Sequence, residues 1–251
     1  MLNRLKIAGI AVAIACASLM PTSATAQTAV QTSVREAVTF SCRDSEAAIR
    51  RKGGAVVAVG QTRFYIGYQQ VNANNQNPIL IRFDNGRRTW CQTTYETSND
   101  DSRGYGLVWN GQGVLYAVFS STGTQGTPSQ DFRRFATRGW LTSYGNGGGA
   151  KAAVLARINP ATGNVTAATF LSSVLTSGRT NSIQVTALNL RGDREALPER
   201  YRLVVEADSW FAPRRIDRQP MQCTGSSPFR YRLEFSGNLQ SVIRASADRC
   251  S

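Results

Sequence analysis

The sequence predicts an all-β protein on three observations: apolar and polar residues alternate along most extended runs, glycine-bearing turns separate those runs, and helical spacing is confined to one short segment. Alternation is clearest in "AAVLARINPATGNVTAATFL", residues 152–171, where two strand-like runs fold about a turn at Pro160 to Asn164. Side chains alternate sides along a strand, so Val154, Ala156 and Ile158 share one face and Arg157 takes the other. The helical exception is "SEAAIRRK" at Ser45 to Lys52, with Ser45 placed as N-cap and Gly53-Gly54 as terminator.

The same hairpin pattern recurs. "PILIRFDNGRRTWCQTTYE" at 78–96 and "FRYRLEFSGNLQSVIRAS" at 229–246 also carry an alternating strand that ends on a large apolar residue before a glycine turn. Ile79, Ile81 and Phe83 match Val154, Ala156 and Ile158 in parity, as do Tyr231, Leu233 and Phe235. Another hairpin precedes each: "VVAVGQTRFYIGY" at 56–68, "GLVWNGQGVLYAVF" at 106–119, and "IQVTALNL" with "YRLVVEAD" at 183–190 and 201–208. Four-stranded antiparallel units therefore occupy 55–104, 105–181 and 182–251, after an N-terminal strand and short helix in 27–54. Residues 121–151, rich in Gly, Ser and Thr, read as a surface loop with one extra hairpin.

The stretch "GGGAKAAVLARINPATGNVTAATFLSS" over 147–173 resembles the short β-propeller repeats of exported bacterial proteins, and 78–96 and 229–246 resemble them more faintly. The resemblance implies a small propeller-like array used as a binding scaffold, and it carries over no catalytic residue. Propellers close with four to eight blades. Three units leave open a fourth blade, a six-bladed ring of two chains, or a β-barrel or sandwich.

Arg4 and Lys6, an apolar run from Ile7 to Met20 and the small residues Ala24-Thr25-Ala26 read as a signal peptide over 1–26, cleaved near Ala26. A lipid-anchored Cys16 is the competing reading, and Ala13 stands where such signals prefer a larger aliphatic residue. The apolar run is shorter than the roughly 20 residues of a membrane-spanning helix, so no membrane span is expected and the mature chain is placed in the periplasm or outside the cell. Without residues 1–26 the 251-residue chain retains 225, enough for one all-β domain that buries roughly 70% of its unfolded surface. Cys42, Cys91, Cys223 and Cys250 remain, an even number that argues for two disulfides in an exported protein. Four cysteines allow three connectivities; pairing neighbours, Cys42 with Cys91 and Cys223 with Cys250, is preferred over a Cys42–Cys250 tie between the ends.

Histidine is absent, which excludes Ser-His-Asp and Cys-His catalysis and His-ligated zinc. The net charge of +13 comes from 29 basic and 16 acidic residues. After residue 26 only Lys52 and Lys151 are lysines, so the positive charge is almost wholly arginine, whose planar fork suits carboxylate, sulfate and phosphate. Two arginine clusters have interleaved aromatics, "FRRFATRGW" and "WFAPRR", and they supply the candidate anion or glycan site: Arg133, Arg134, Arg138, Trp140, Trp210, Arg214 and Arg215. The alternative for these clusters is core rings with arginines reaching to water. Arg50-Arg51-Lys52 and Arg87-Arg88 read as solvated charge.

Other motifs point to structure first. Arg191-Gly192-Asp193 sits on a predicted turn that suits Gly and Asp without any receptor. Glu206 and Asp208 share a strand face and could serve a glycoside hydrolase, although a surface strand explains both. Asn99-Asp100-Asp101 lacks the alternating ligand loop of a calcium site, and no metal or cofactor is assigned from sequence. The sequon Asn164-Val165-Thr166 falls in a Gly-Asn turn. The expected function is non-enzymatic binding of an anionic, acidic or sulfated polysaccharide or another cell-envelope component. The alternatives are a carbohydrate-active hydrolase and a structural assembly module that pairs with its own copies.

Overall fold

The computed structural model describes residues 29–124, 126–144, 151–192 and 200–251; the predicted signal peptide, the glycine run before Lys151 and the Asp193 of the RGD triplet lie outside them. The chain is all-β. Strand β1 (Gln31–Val34) and helix α1 (Glu46–Arg51) come first, and Ser45 Oγ caps the helix by accepting from the Ala48 N–H at 3.3 Å. Three antiparallel meanders follow in chain order. The first contains β2 (Val56–Val59), β3 (Thr62–Asn72), β4 (Asn75–Asp84) and β5 (Arg87–Gln92). In the second, β6 (Ser102–Trp109), β7 (Leu115–Ser121), β8 (Ala152–Ile158) and β9 (Val165–Leu171) are joined by β1, which pairs with β6. After the small β10 (Ser173–Val174) and β11 (Thr180–Asn181) ladder, the third contains β12 (Ile183–Arg191), β13 (Arg202–Ser209), β14 (Phe229–Phe235) and β15 (Val242–Ala247). All six hairpins read from the sequence are hairpins in the structure.

The sheets stack face to face with the second in the middle. Leu107, Leu115, Ala117, Phe119, Val154 and Ala156 meet Val57, Phe64, Ile66 and Leu80 of the first sheet in one core. From the opposite face, Val108, Tyr116, Val118 and Leu155 meet Val185, Leu203, Val205 and Leu233 of the third sheet in another. Burial on both faces accounts for the nearly unbroken apolar run of β7, which alternation alone would not produce. The far face of the first sheet packs Tyr65, Ile79, Ile81 and Phe83 against Ile49 of α1 and Phe40. In contrast, Arg202, Glu206, Arg230, Arg232 and Arg244 stand exposed on the far face of the third. No sheet closes into a barrel. The three residue sets of equal parity, from β4, β8 and β14, are all buried, and each turns back toward the layer that precedes its own sheet.

Local chemistry sets the spacing of the layers. A Cβ on Gly67 would lie 2.2 Å from Val38 O, so only glycine lets residues 38–40 run flat along β3. The turn at 160–164 docks the second sheet on the first: Trp90 Nε1 and Arg82 Nη1 donate to Pro160 O at 3.0 and 2.9 Å, and the Tyr95 hydroxyl donates to Gly163 O at 2.7 Å. Disulfides join Cys42 to Cys91 and Cys223 to Cys250, the neighbour pairing. No helix among the described residues is long and apolar enough to cross a membrane.

The insert after β7 departs from its sequence reading. Its described part contains a single 3-10 turn, Phe132–Arg134, and no strand. It is also not a plain surface loop, because Phe132, Trp140 and Tyr144 are buried. The insert lies along the β9 edge, where Phe135 O and Leu141 O accept from the Ala168 and Phe170 N–H groups at 3.1 and 3.0 Å. Covering an otherwise open sheet edge gives its scattered apolar residues a partner.

Candidate functional site

A cavity of about 650 Å³ opens at one end of the stack, between the second and third sheets. It is built from strand ends: Arg35 and Glu36 just after β1, Arg103 at the start of β6, Lys151 just before β8, and Trp210 and Phe211 just after β13. The backbone fixes each of these positions. Arg35 N–H donates to Tyr105 O at 3.0 Å, and Lys151 O accepts from the Ile183 N–H at 3.1 Å, which ties the start of β8 to the start of the third sheet. Ser209 Oγ donates to Phe211 O at 2.8 Å, and Ala212 O accepts from Val174 N–H at 2.9 Å, holding the turn that carries both rings. Tyr105 contributes to the wall, and its hydroxyl oxygen accepts from the Val185 N–H at 3.1 Å; burial pushes its phenol far above the usual range.

The walls combine exposed rings with uncompensated positive charge. Trp210 and Phe211 are 39% and 38% exposed, unusual for large apolar side chains. Arg35, Arg103 and Lys151 form no ion pair among the described residues, and Glu36 is the one carboxylate among the described lining residues. Arg103 lies over the Tyr68 ring at 4.8 Å and donates to Gln76 Oε1, so its guanidinium is held in place. Such a cavity suits an anionic ligand with an apolar or ring face.

The residues singled out from the sequence are dispersed. Trp210 belongs to the cavity. Trp140 does not: it is 2% exposed, packs edge-on against Phe235 and donates Nε1–H to Ile216 O at 3.0 Å, so it is a core residue and no platform for a ligand. Arg133 forks onto Asp131 and donates to Gly126 O, while Arg134 stacks on Phe135 and donates to the carbonyls of Thr94, Tyr95 and Ser129. Both hold the insert in place. Arg138 is exposed, Arg214 is half-buried with Nη1 on Arg218 O at 2.8 Å, and Arg215 pairs with Asp217 at 3.0 Å. The wall cations Arg35, Arg103 and Lys151 were not legible as a site, since each is isolated in sequence and only strand pairing brings them together.

Glu206 and Asp208 share the open face of the third sheet, as their spacing predicts, and they line a groove of about 420 Å³ with Arg230 and Arg232. Glu206 faces Arg232 at 3.7 Å, and Asp208 stands opposite Arg230 in register. On the same face Glu234 is clasped by Arg202 at 2.8 Å and Arg191 at 3.6 Å. The Arg202 hydrogen bond, opposed by burial and reinforced by the charges of Arg202, Arg191 and Arg244, holds the Glu234 carboxyl below the usual carboxylate range. A depressed folded value means that the clasp stabilises above the unfolded carboxylate range and is lost as pH falls through the folded value. Glu234→Gln is therefore expected to flatten the acid limb of a stability-versus-pH curve while leaving the neutral region little changed in shape.

No protein-family model matches the chain, and no curated protein or solved structure is similar enough to it to count as a match.

Proposed function

We propose that the protein is an exported, non-enzymatic scaffold that binds an anionic glycan, a chain bearing uronate or sulfate groups, in the cavity between the second and third sheets. The observation that carries this reading is the juxtaposition of two exposed rings, Trp210 and Phe211, with three cations that form no ion pair among the described residues. Aromatic rings present flat apolar area to a sugar face, and Arg and Lys hold the acidic substituents. Binding is favoured over hydrolysis because Glu36 stands without a second carboxylate among the described lining residues, whereas glycoside hydrolysis ordinarily uses two. Two disulfides support residence in an oxidising compartment. The common orientation of the three buried parity sets supports three copies of one propeller-like unit stacked in series.

Titration with sulfated, uronate and neutral oligosaccharides tests the reading. Affinity for the charged ligands is expected to fall steeply with salt, and Trp210→Ala is expected to weaken it by about tenfold or more, the effect of truncating a central aromatic anchor. Lys151→Ala should lower both the affinity and its salt dependence, while Arg133→Ala, remote from the cavity, should leave the salt dependence unchanged. Equal affinity for neutral and charged chains, or full binding by Trp210→Ala, would contradict it.

A further inference from the structure

The loop between β5 and β6 gathers buried oxygen atoms against the end of β4. Glu96 and Asp100 are 0% and 1% exposed, and Ser98 between them is 5% exposed. The Ser98 N–H donates to Glu96 Oε1, and the Ser98 hydroxyl approaches the same oxygen at 2.5 Å and Asp100 Oδ2 at 3.1 Å. Asn75 and Asn77 are two apart on β4 and so share a face, and both are 7% exposed. Asn75 Nδ2 donates to Ser98 O at 3.1 Å, which brings that face onto the loop.

Two amide oxygens here, Asn75 Oδ1 and Asn77 Oδ1, have no hydrogen-bond partner among the described residues, and the Ser102 hydroxyl interacts with the Glu96 carboxylate. Both amide oxygens are obligate acceptors, and a buried acceptor left without a partner is costly. The hydrogen bonds of Arg133 go to Asp131 and Gly126 O and those of Arg134 to backbone carbonyls, while Arg133 acts on Asp100 and Arg134 on Glu96 through charge alone.

We propose that this cluster is a calcium site, with the carboxylates of Glu96 and Asp100, the amide oxygens of Asn75 and Asn77 and the hydroxyl of Ser102 as ligands. Calcium takes six to eight hard oxygen ligands, including amide carbonyls, and two carboxylates balance its charge. No thiolate or imidazole is present to favour a softer metal. Asp101, the neighbour that a linear motif would enlist, instead accepts from the Gln76 N–H at 3.1 Å. The site joins β4 to the start of β6, so the ion would lock the first sheet to the second.

The test uses the full chain, stripped with chelator and then titrated with calcium chloride by calorimetry and by thermal unfolding. Saturable one-site binding is expected, with a rise in Tm on the order of 5–10 °C at a hundredfold excess over Kd and a smaller rise with magnesium. Glu96→Gln keeps the side-chain shape and is expected to abolish the calcium-dependent rise while retaining a native fold in chelator. Should that variant fail to fold, Asn77→Leu, which removes one neutral ligand, is expected to weaken calcium binding about tenfold or more. Identical Tm in calcium and chelator, or an undiminished calcium response in Glu96→Gln, or in Asn77→Leu where that variant is used, would overturn the proposal.

Discussion

Replacing Cys42 and Cys91 together by serine is expected to lower the unfolding free energy by about 4 kcal/mol, read from the urea midpoint of the double variant against the parent. The cystine closes a 49-residue span, from the segment before α1 to β5, and the reduced chain regains the entropy of that open loop. The loss concentrates on the outer layer, where Phe40 and Ile49 cover Tyr65, Ile79 and Ile81, because both half-cystines pack against that cluster. The Cys223–Cys250 bridge spans 27 residues, so its removal should cost less, about 3.5 kcal/mol. Equal or inverted costs would show that the helix-bearing layer is held by packing alone.

Trp140→Ala is the second large effect, an expected loss of about 3–5 kcal/mol for a large aromatic deleted from a packed core. The change removes the edge contact with Phe235 and leaves Ile216 O without its indole donor. Trp210→Ala, at a side chain 39% exposed, should stay within about 0.5 kcal/mol of the parent and act on binding instead. Chemical denaturation of the two variants in parallel checks the division. A mild Trp140→Ala paired with a severe Trp210→Ala would reverse the roles assigned to the two tryptophans.

These two residues also show what could be read before the fold was known. Strands were legible because one buried face imposes a period of two, and turns because Asn85 and Gly86, at φ of 51° and 77°, occupy a conformation that selects Asn-Gly in a tight hairpin. Trp210 lies one residue past the end of β13, where strand parity no longer assigns a face. Trp140 lies in no strand, so no periodicity could place it, and its arginine neighbours made it look like a surface ring. The cavity itself was beyond sequence reasoning. Its walls come from the ends of strands in two sheets, and a lone Arg35 or Lys151 has no local signature. The oxygen cluster was hidden similarly, since the loop carboxylates at 96 and 100 approach the amides at 75 and 77 only where β4 of the first sheet packs against β6 of the second.

Amide hydrogen exchange with and without a saturating sulfated oligosaccharide tests the central claim most directly. Protection is expected where the cavity wall meets the backbone, at residues 35–37, 103–105, 151–153 and 209–212, and it should vanish in Trp210→Ala. Protection confined to 132–138, or to the arginine-bearing strands β13 to β15 away from Trp210, would contradict the account.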